Sequence, residues 1–312
     1  MQQVKQVQQV QEAPRIQQVQ ELAHAADFDY RDGSPHLKHD RLFATLVGWL
    51  RAELVAATAR DLPPTLLDIG AGDGAFVAPA LAAGFRVTAT EMSRPAIAKL
   101  ERRFAGNPAF TARFVAGGAA DPIGEADGRF SVVLCASVLH HIPDYLATIE
   151  QTLIHHMEPG GAFVSFQDPL WYPSMGRGTR LFSEAAYLSW RLARGNYRRG
   201  VATRWRHRRG VYDDANLSDT AEYHVVRQGV DHERLVEFLL HRFDDVVLSP
   251  YWSTHAGFWQ RAGERIGAAN TFAAVARGYR GRVTVVRPDD PNEQQQPARI
   301  STTSPNGRSV VG

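Results

Sequence analysis

Thr65-Leu66-Leu67-Asp68-Ile69-Gly70-Ala71-Gly72-Asp73-Gly74-Ala75-Phe76 is the stretch whose reading decides the fold. An apolar run closes in an acid, three glycines alternate with small or acidic residues, and an Ala-rich helical stretch follows: strand, tight turn, helix. Glycines there let the backbone take positive φ and let a ligand come closer to the main chain than any Cβ allows. The helix after them is expected to point unpaired N–H groups into the same space. Gly70 to Ala75 satisfies the G-x-G-x-x-G/A pattern of dinucleotide binding, and Glu91 ends the next strand at the distance where a carboxylate receives ribose hydroxyls. Asp68 tips this reading, because a strand-end carboxylate repels a pyrophosphate and suits a ligand carrying an ammonium and no phosphate.

Outward from this turn, strand and helix alternate at short spacing. Phe85 to Thr90 reads as a second strand, Ser93-Arg94-Pro95 caps a helix to about Ala105, and Ala112–Val115 and Phe130–Cys135 read as strands. Pro143 to Met157 is helical, Pro159-Gly160-Gly161 breaks it, and Ala162 to Phe166 is a fifth strand. After a long insertion come a helix at His232 to His241 and strands at Asp245–Leu248 and Thr271–Ala276, with Trp252, His255 and Trp259 between the strands. The pattern predicts an α/β fold, a doubly wound, mostly parallel seven-stranded sheet with a helical and loop cap inserted after strand five. Residues 1–26 read as a disordered Gln-rich arm or frayed helix and 27–62 as an N-terminal helical lid. Residues 63–168 read as a cofactor-binding core, 169–230 as the cap and 231–287 as the rest of the sheet. A disordered tail is expected over 288–312.

The chain has 312 residues, 44% of them hydrophobic, and a net charge of +2, so its overall charge gives no argument for a polyanionic partner. Cys135 is the one cysteine, which excludes an intrachain disulfide and a thiolate zinc site; its apolar run makes it a strand residue. No apolar run reaches the length of a membrane span, and the N-terminus lacks the pattern of a secretory signal, so a cytoplasmic protein with no membrane partner is expected. No histidine has the compact carboxylate or thiolate partners of a metal site.

Residues from about 60 to 170 resemble a class I S-adenosylmethionine-dependent methyltransferase. The resemblance rests on four stretches in register: Leu66 to Gly74; Val87-Thr88-Ala89-Thr90-Glu91-Met92-Ser93; Phe130-Ser131-Val132-Val133-Leu134-Cys135-Ala136-Ser137-Val138-Leu139-His140-His141-Ile142-Pro143-Asp144; and Leu153 through Glu158-Pro159-Gly160-Gly161-Ala162-Phe163. It implies a Rossmann-like fold in which Asp68, Gly70, Gly72 and Gly74 cradle the methionine part of S-adenosylmethionine and Glu91 takes the ribose hydroxyls. Met92 would line the adenine, Gly118 and Ala119 would meet its edge, and Ala136 and Ser137 would lie near the sulfonium. The chain departs from the family pattern at Gly117-Gly118, where Gly-Asp is common, and at Ser131, where Asp is common. Asp121 is a substitute for the first.

His140 and His141 stand where a methyl acceptor would approach, and a histidine titrating near neutral pH is a suitable base. His140 is expected to face the substrate, with His141 either catalytic or orienting its loop. Packing is the expected role of Tyr30, His36 and His255, although the first two are also placed to close over the cofactor. Six arginines between Arg198 and Arg209 fit either an acidic substrate or a solvated face. The motif that stacks an extruded base in nucleic-acid methylases is absent after strand four, which argues against nucleic acid. The expected activity is methyl transfer to an O, N or C atom of a small molecule of specialised metabolism. A non-methylating use of the same cofactor, such as cyclisation, and an NAD-dependent oxidoreductase are the alternatives.

Overall fold

Leu66, Leu67 and Asp68 are buried on both faces of the first strand, β1 (Thr65–Ile69), as a strand sandwiched between helix layers requires. The computed structural model describes residues 17–18, 20–21, 34–116, 128–193, 209, 224, 228–281 and 299–302. β1 pairs in parallel with β2 (Arg86–Glu91) and β4 (Phe130–Ala136); β3 (Phe110–Phe114) lies outside β2, and β5 (Met157–Pro169) lies beyond β4. β7 (Thr271–Tyr279) runs antiparallel between β5 and β6 (Phe243–Tyr251), so β6 points the same way as β5. The order is β3-β2-β1-β4-β5-β7-β6-β8. The sheet reverses its direction of growth between β1 and β4, and there the strand ends leave an open crevice.

β8 (Arg299–Thr302), parallel to β6, adds an eighth strand at the edge of the expected seven. It falls inside the tail expected to be disordered and lies along the edge of β6, which an extended segment can occupy. Residues 17–18 and 20–21, in the Gln-rich arm, are helical.

Helices α1 (Pro35–Lys38) and α2 (Asp40–Thr58) precede β1, and α3 (Val77–Ala82) and α4 (Arg94–Arg103) follow β1 and β2. α5 (Tyr145–His156) joins β4 to β5, while α6 (Arg177–Ala193) and α7 (His232–Leu240) lie between β5 and β6. Side chains that alternate along the strands sort into two cores. Leu66, Val132, Leu134 and Val164 meet Leu46, Leu50 and Leu54 of α2. Leu67, Val133 and Phe163 meet Ile149 and Leu153 of α5 and Leu235 and Leu239 of α7.

The stretch expected to be an insertion around Trp252, His255 and Trp259 contains a further helix, α8 (Gly257–Ile266), closed by Gly267 in the left-handed region. The cap departs at Leu170 and returns at Val230, which form a single parallel bridge. Of the arginine cluster, only Arg209 lies within the described residues.

Candidate functional site

Parallel register brings the ends of four strands to one level. Ile69 pairs with Thr90 and Cys135, and Cys135 pairs with Ser165, so Gly70, Glu91, Ala136 and Phe166 emerge together. Gly70, Gly72 and Gly74 all have positive φ, at 67°, 58° and 78°. A Cβ on Gly70 would stand 2.3 Å from Val138 Cγ2, so the turn after β1 and the loop after β4 touch only because the residue is glycine.

The turn is held by its own amides. Gly70 and Ala71 N–H donate to Thr90 O at 2.9 and 3.1 Å, and Gly74 N–H donates to Ala71 O. Gly72 N–H donates to Glu91 Oε1 at 3.0 Å, and Ala75 N–H to Asp73 Oδ1 at 3.2 Å. These amides belong to the turn and not to the helix whose N–H groups were expected to face the ligand. They fix the shape of the turn, and α3 begins only at Val77.

Glu91 is buried, and Met92 N–H donates to its second oxygen at 3.0 Å. Burial pushes its carboxyl above the usual range, while the amides of Gly72, Met92 and Ser93 pull it back. Its orientation is fixed, and a carboxylate so held keeps acceptor capacity for a hydroxyl donor. Asp68 is 1% exposed, and its Oδ1 has no hydrogen-bond partner among the described residues. Burial, then Glu91, then Asp73, raise its carboxyl well above the ordinary value. An orphaned buried acceptor beside a glycine turn fits a ligand that brings an ammonium, and it opposes a pyrophosphate.

His140 lies on a short 3-10 turn after β4 (Leu139–His141). Its Nδ1 stands 2.8 Å from Asp168 Oδ1, and its backbone N–H donates to the same oxygen at 3.0 Å. Ser165 Oγ donates to Asp168 Oδ2 at 2.9 Å. Asp168 is fully buried at the end of β5, where a bulge and a positive φ of 66° at Gln167 turn the chain. A carboxylate only accepts, so Nδ1 carries the proton and Nε2 is the basic nitrogen. Asp168 closes the expected cofactor-binding core and was assigned no site role there. Its signal was an acid at the carboxyl end of a parallel strand.

The other expected residues fall into place unevenly. His141 packs ring to ring on His140, with centroids 3.9 Å apart. Ser137 takes φ 60° and donates its N–H to Phe166 O, so Ala136 and Ser137 form the bend between the glycine turn and His140. Met92 is half-buried beside Glu91. His36 is buried on α1, stacked on Phe76 at 6.0 Å, and its Nδ1 has no partner among the described residues. Burial, then the nearby His140, lower it to about 4, so it is neutral near pH 7. His255 is not with this group: it stacks on Trp190 of α6 at 4.3 Å. Tyr30, Gly118, Ala119 and Asp121 lie outside the described residues. Among the described residues, no group of three or more His, Cys, Asp or Glu is arranged to hold a metal ion, and no helix is long and apolar enough to cross a membrane.

Residues 67–163 match a family described as a methyltransferase domain. Among solved structures, the CcbJ methyltransferase from Streptomyces caelestis is 26% identical over 34% of this chain and 43% of its own, with a TM-score of 0.28. The glycopeptide N-methyltransferase MtfA, complexed with S-adenosylhomocysteine, is 25% identical over 41% of this chain and 50% of its own, with a TM-score of 0.32. The N-methyltransferase NodS from Bradyrhizobium japonicum, also complexed with S-adenosylhomocysteine, is 16% identical over 85% of this chain and 98% of its own, with a TM-score of 0.46. The chain spans half or less of the length of the first two. No curated protein matches it.

Proposed function

We propose, from the premise that residues 67–163 are a methyltransferase domain of the S-adenosylmethionine-dependent class, that the chain transfers a methyl group to a small-molecule acceptor. The observation that carries this reading is the shared level of two arrangements: the glycine turn with Asp68 and Glu91, and, one strand over, the His140 and Asp168 pair. S-adenosylmethionine supplies an electrophilic methyl carbon on a sulfonium. The chain's own residues bind, align and remove a proton. Asp68 receives the ammonium, Glu91 the ribose hydroxyls, and Gly70, seated against Val138, fixes the glycine turn beside the loop after β4. Met92, with Gly118 and Ala119, is assigned to the adenine, and His36 to the lid over the cofactor.

Alignment supplies most of the rate in such a displacement. His140 Nε2 takes the acceptor's proton as the new bond forms, and Asp168 holds Nδ1–H and stabilises the imidazolium. A buried base with a buried carboxylate behind it suits an acceptor whose O–H or N–H must lose a proton. His141 steadies the ring. We take the protein to work in the cytoplasm on a specialised metabolite.

Calorimetry with S-adenosylhomocysteine and with NAD, followed by mass analysis of phenol and amine acceptors, tests this. Binding of the first ligand alone and a product heavier by one methylene are expected. Binding of NAD, or a product isomeric with its substrate, would overturn the reading.

A further inference from the structure

We propose that Gln167 is a positioning residue for the proton-accepting pair: its left-handed bulge, locked by Tyr251 and Ser253, turns Asp168 to the face of the sheet where His140 stands. The bearing of this lock on methyl transfer rests on the reading given above; its effect on the His140 ring does not.

Strand register carries the argument. Opposed residues of an antiparallel pair share a face of the sheet, and successive residues along a strand alternate between faces. On β5, Ser165 is opposed by Ala274, which belongs to the core on the side of α5 and α7. Phe166 is opposed by Ala273, and both belong to the core on the side of α2. Unbroken alternation would set Asp168 opposite Thr271, on the α2 side with Phe166. Instead the register shifts between Phe166 and Asp168, and Asp168 is opposed by Phe272, a member of the α5 and α7 core. Gln167 is the extra residue, and it returns Asp168 to the face of Ser165. That placement lets Ser165 Oγ donate to Asp168 Oδ2 at 2.9 Å while Asp168 Oδ1 meets the ring and the backbone N–H of His140, whose neighbour Leu139 is in the same core.

A residue with a Cβ disfavours the φ of 66° that Gln167 adopts, and such a conformation persists only where its surroundings over-determine it. Those surroundings are present. Gln167 is buried, and its N–H donates to Tyr251 Oη at 2.9 Å. Tyr251 Oη donates back to Gln167 Oε1 at 3.1 Å, and Gln167 Nε2 donates to Ser253 Oγ at 2.7 Å. Both partners are themselves fixed. Trp49 of α2 packs edge-on to the Tyr251 ring at 5.8 Å, while Ser253 N–H donates to Asn270 Oδ1 and Asn270 Nδ2 to Ser253 O, each at 2.9 Å. On the far side of Asp168, Leu170 N–H donates to Asn270 O at 3.0 Å. One frame, built from the end of β6 and the approach to β7, thus grips the chain on both sides of the carboxylate.

The test records histidine ring-nitrogen NMR spectra of the full chain at about pH 9, where imidazole is neutral, with His140 assigned by its loss in His140→Gln. Calorimetry with S-adenosylhomocysteine and turnover of whichever phenol or amine acceptor gains a methyl group accompany them. In the wild type the His140 proton is expected on Nδ1. Gln167→Ala, which keeps the Cβ and deletes the side-chain locks, should move that proton largely to Nε2. It should also lower turnover by about tenfold or more while S-adenosylhomocysteine affinity stays within about twofold. Gln167→Gly deletes the same locks but takes the left-handed conformation without strain, so it should restore the Nδ1 proton and recover most of the lost turnover. Thr152→Val, at a buried hydroxyl of α5, should leave every readout unchanged. Should Gln167→Ala fail to fold, Tyr251→Phe, which removes two of the three locks, should move the proton in the same way. A wild-type proton on Nε2, the wild-type spectrum in Gln167→Ala or Tyr251→Phe, or a Gln167→Gly spectrum no closer to wild type than that of Gln167→Ala would overturn the positioning role. Spectra that follow expectation in a chain that ignores S-adenosylhomocysteine and methylates no acceptor would overturn the methyl-transfer reading instead.

Discussion

Gly70 shows what one residue can decide. A methyl group there would meet Val138 at 2.3 Å in a backbone conformation with φ 67°. Gly70→Ala is expected to cost about 1–2 kcal/mol from the left-handed conformation alone and to lower S-adenosylhomocysteine affinity more than tenfold, measurable by calorimetry. Asp68 gives a pH signature. With its carboxyl raised by burial, the folded protein holds a proton that the unfolded chain has lost, so that contribution to stability is present at low pH and falls as pH rises through the folded value. The ligand's ammonium needs the ionised form, so at a pH where the free carboxyl holds its proton, binding S-adenosylhomocysteine should release it, read as a heat that differs between phosphate and Tris buffers. Asp68→Asn should abolish the difference. For the base, His140→Ala should lower kcat by about 100-fold or more with ligand affinity within about twofold, and Asp168→Asn should approach the same loss by upsetting the tautomer. Unchanged turnover in either variant would reduce the pair to structure. His140 was legible in the sequence because it follows an apolar strand. Asp168 was not, because its partner lies 28 residues away and only strand register joins them.

Elements were read well where the side-chain pattern is local. Ser93 does cap its helix, accepting from Ala96 N–H, and Asp144 and Asp231 do the same for α5 and α7. α8 escaped because its ten residues include two glycines, Gly257 and Gly263, which read as loop signals in a sequence. The attachment of α2 to the sheet was equally hidden. Arg277 of β7 donates to both oxygens of Glu53 and to Asp245. Glu53 is 5% exposed by side chain and Asp245 37%, so the first pair carries the energy. Arg277→Ala, which strands the Glu53 carboxylate, is expected to cost about 3 kcal/mol in urea denaturation, and Asp245→Asn less than about 1 kcal/mol.

At the scale of the molecule, one contact joins the segment before β1 to the loop after β6. His39, between α1 and α2, stands 2.7 Å from Thr254 O through its Nε2, in the loop after β6. Thr254 N–H is itself held by Gln260 of α8. This contact ties α1, which carries His36, to the loop after β6. His39→Ala should therefore weaken S-adenosylhomocysteine binding by about fivefold to tenfold, the value of one hydrogen bond, with little change in melting temperature. An affinity equal to the wild type would separate the lid from cofactor binding.

By itself, the sequence determined the alternation of strand and helix, the glycine turn and the acids at the ends of β1 and β2. These follow from hydrophobic period, turn chemistry and short spacing, all properties of neighbouring residues. Tertiary structure decided what depends on distant residues: β7 running antiparallel between β5 and β6, β8 on the free edge of β6, Asp168 behind His140, and Gln167 held by Tyr251 and Ser253. A strand's direction and a side chain's partner are set by whichever distant surface buries them, and no local pattern encodes that surface.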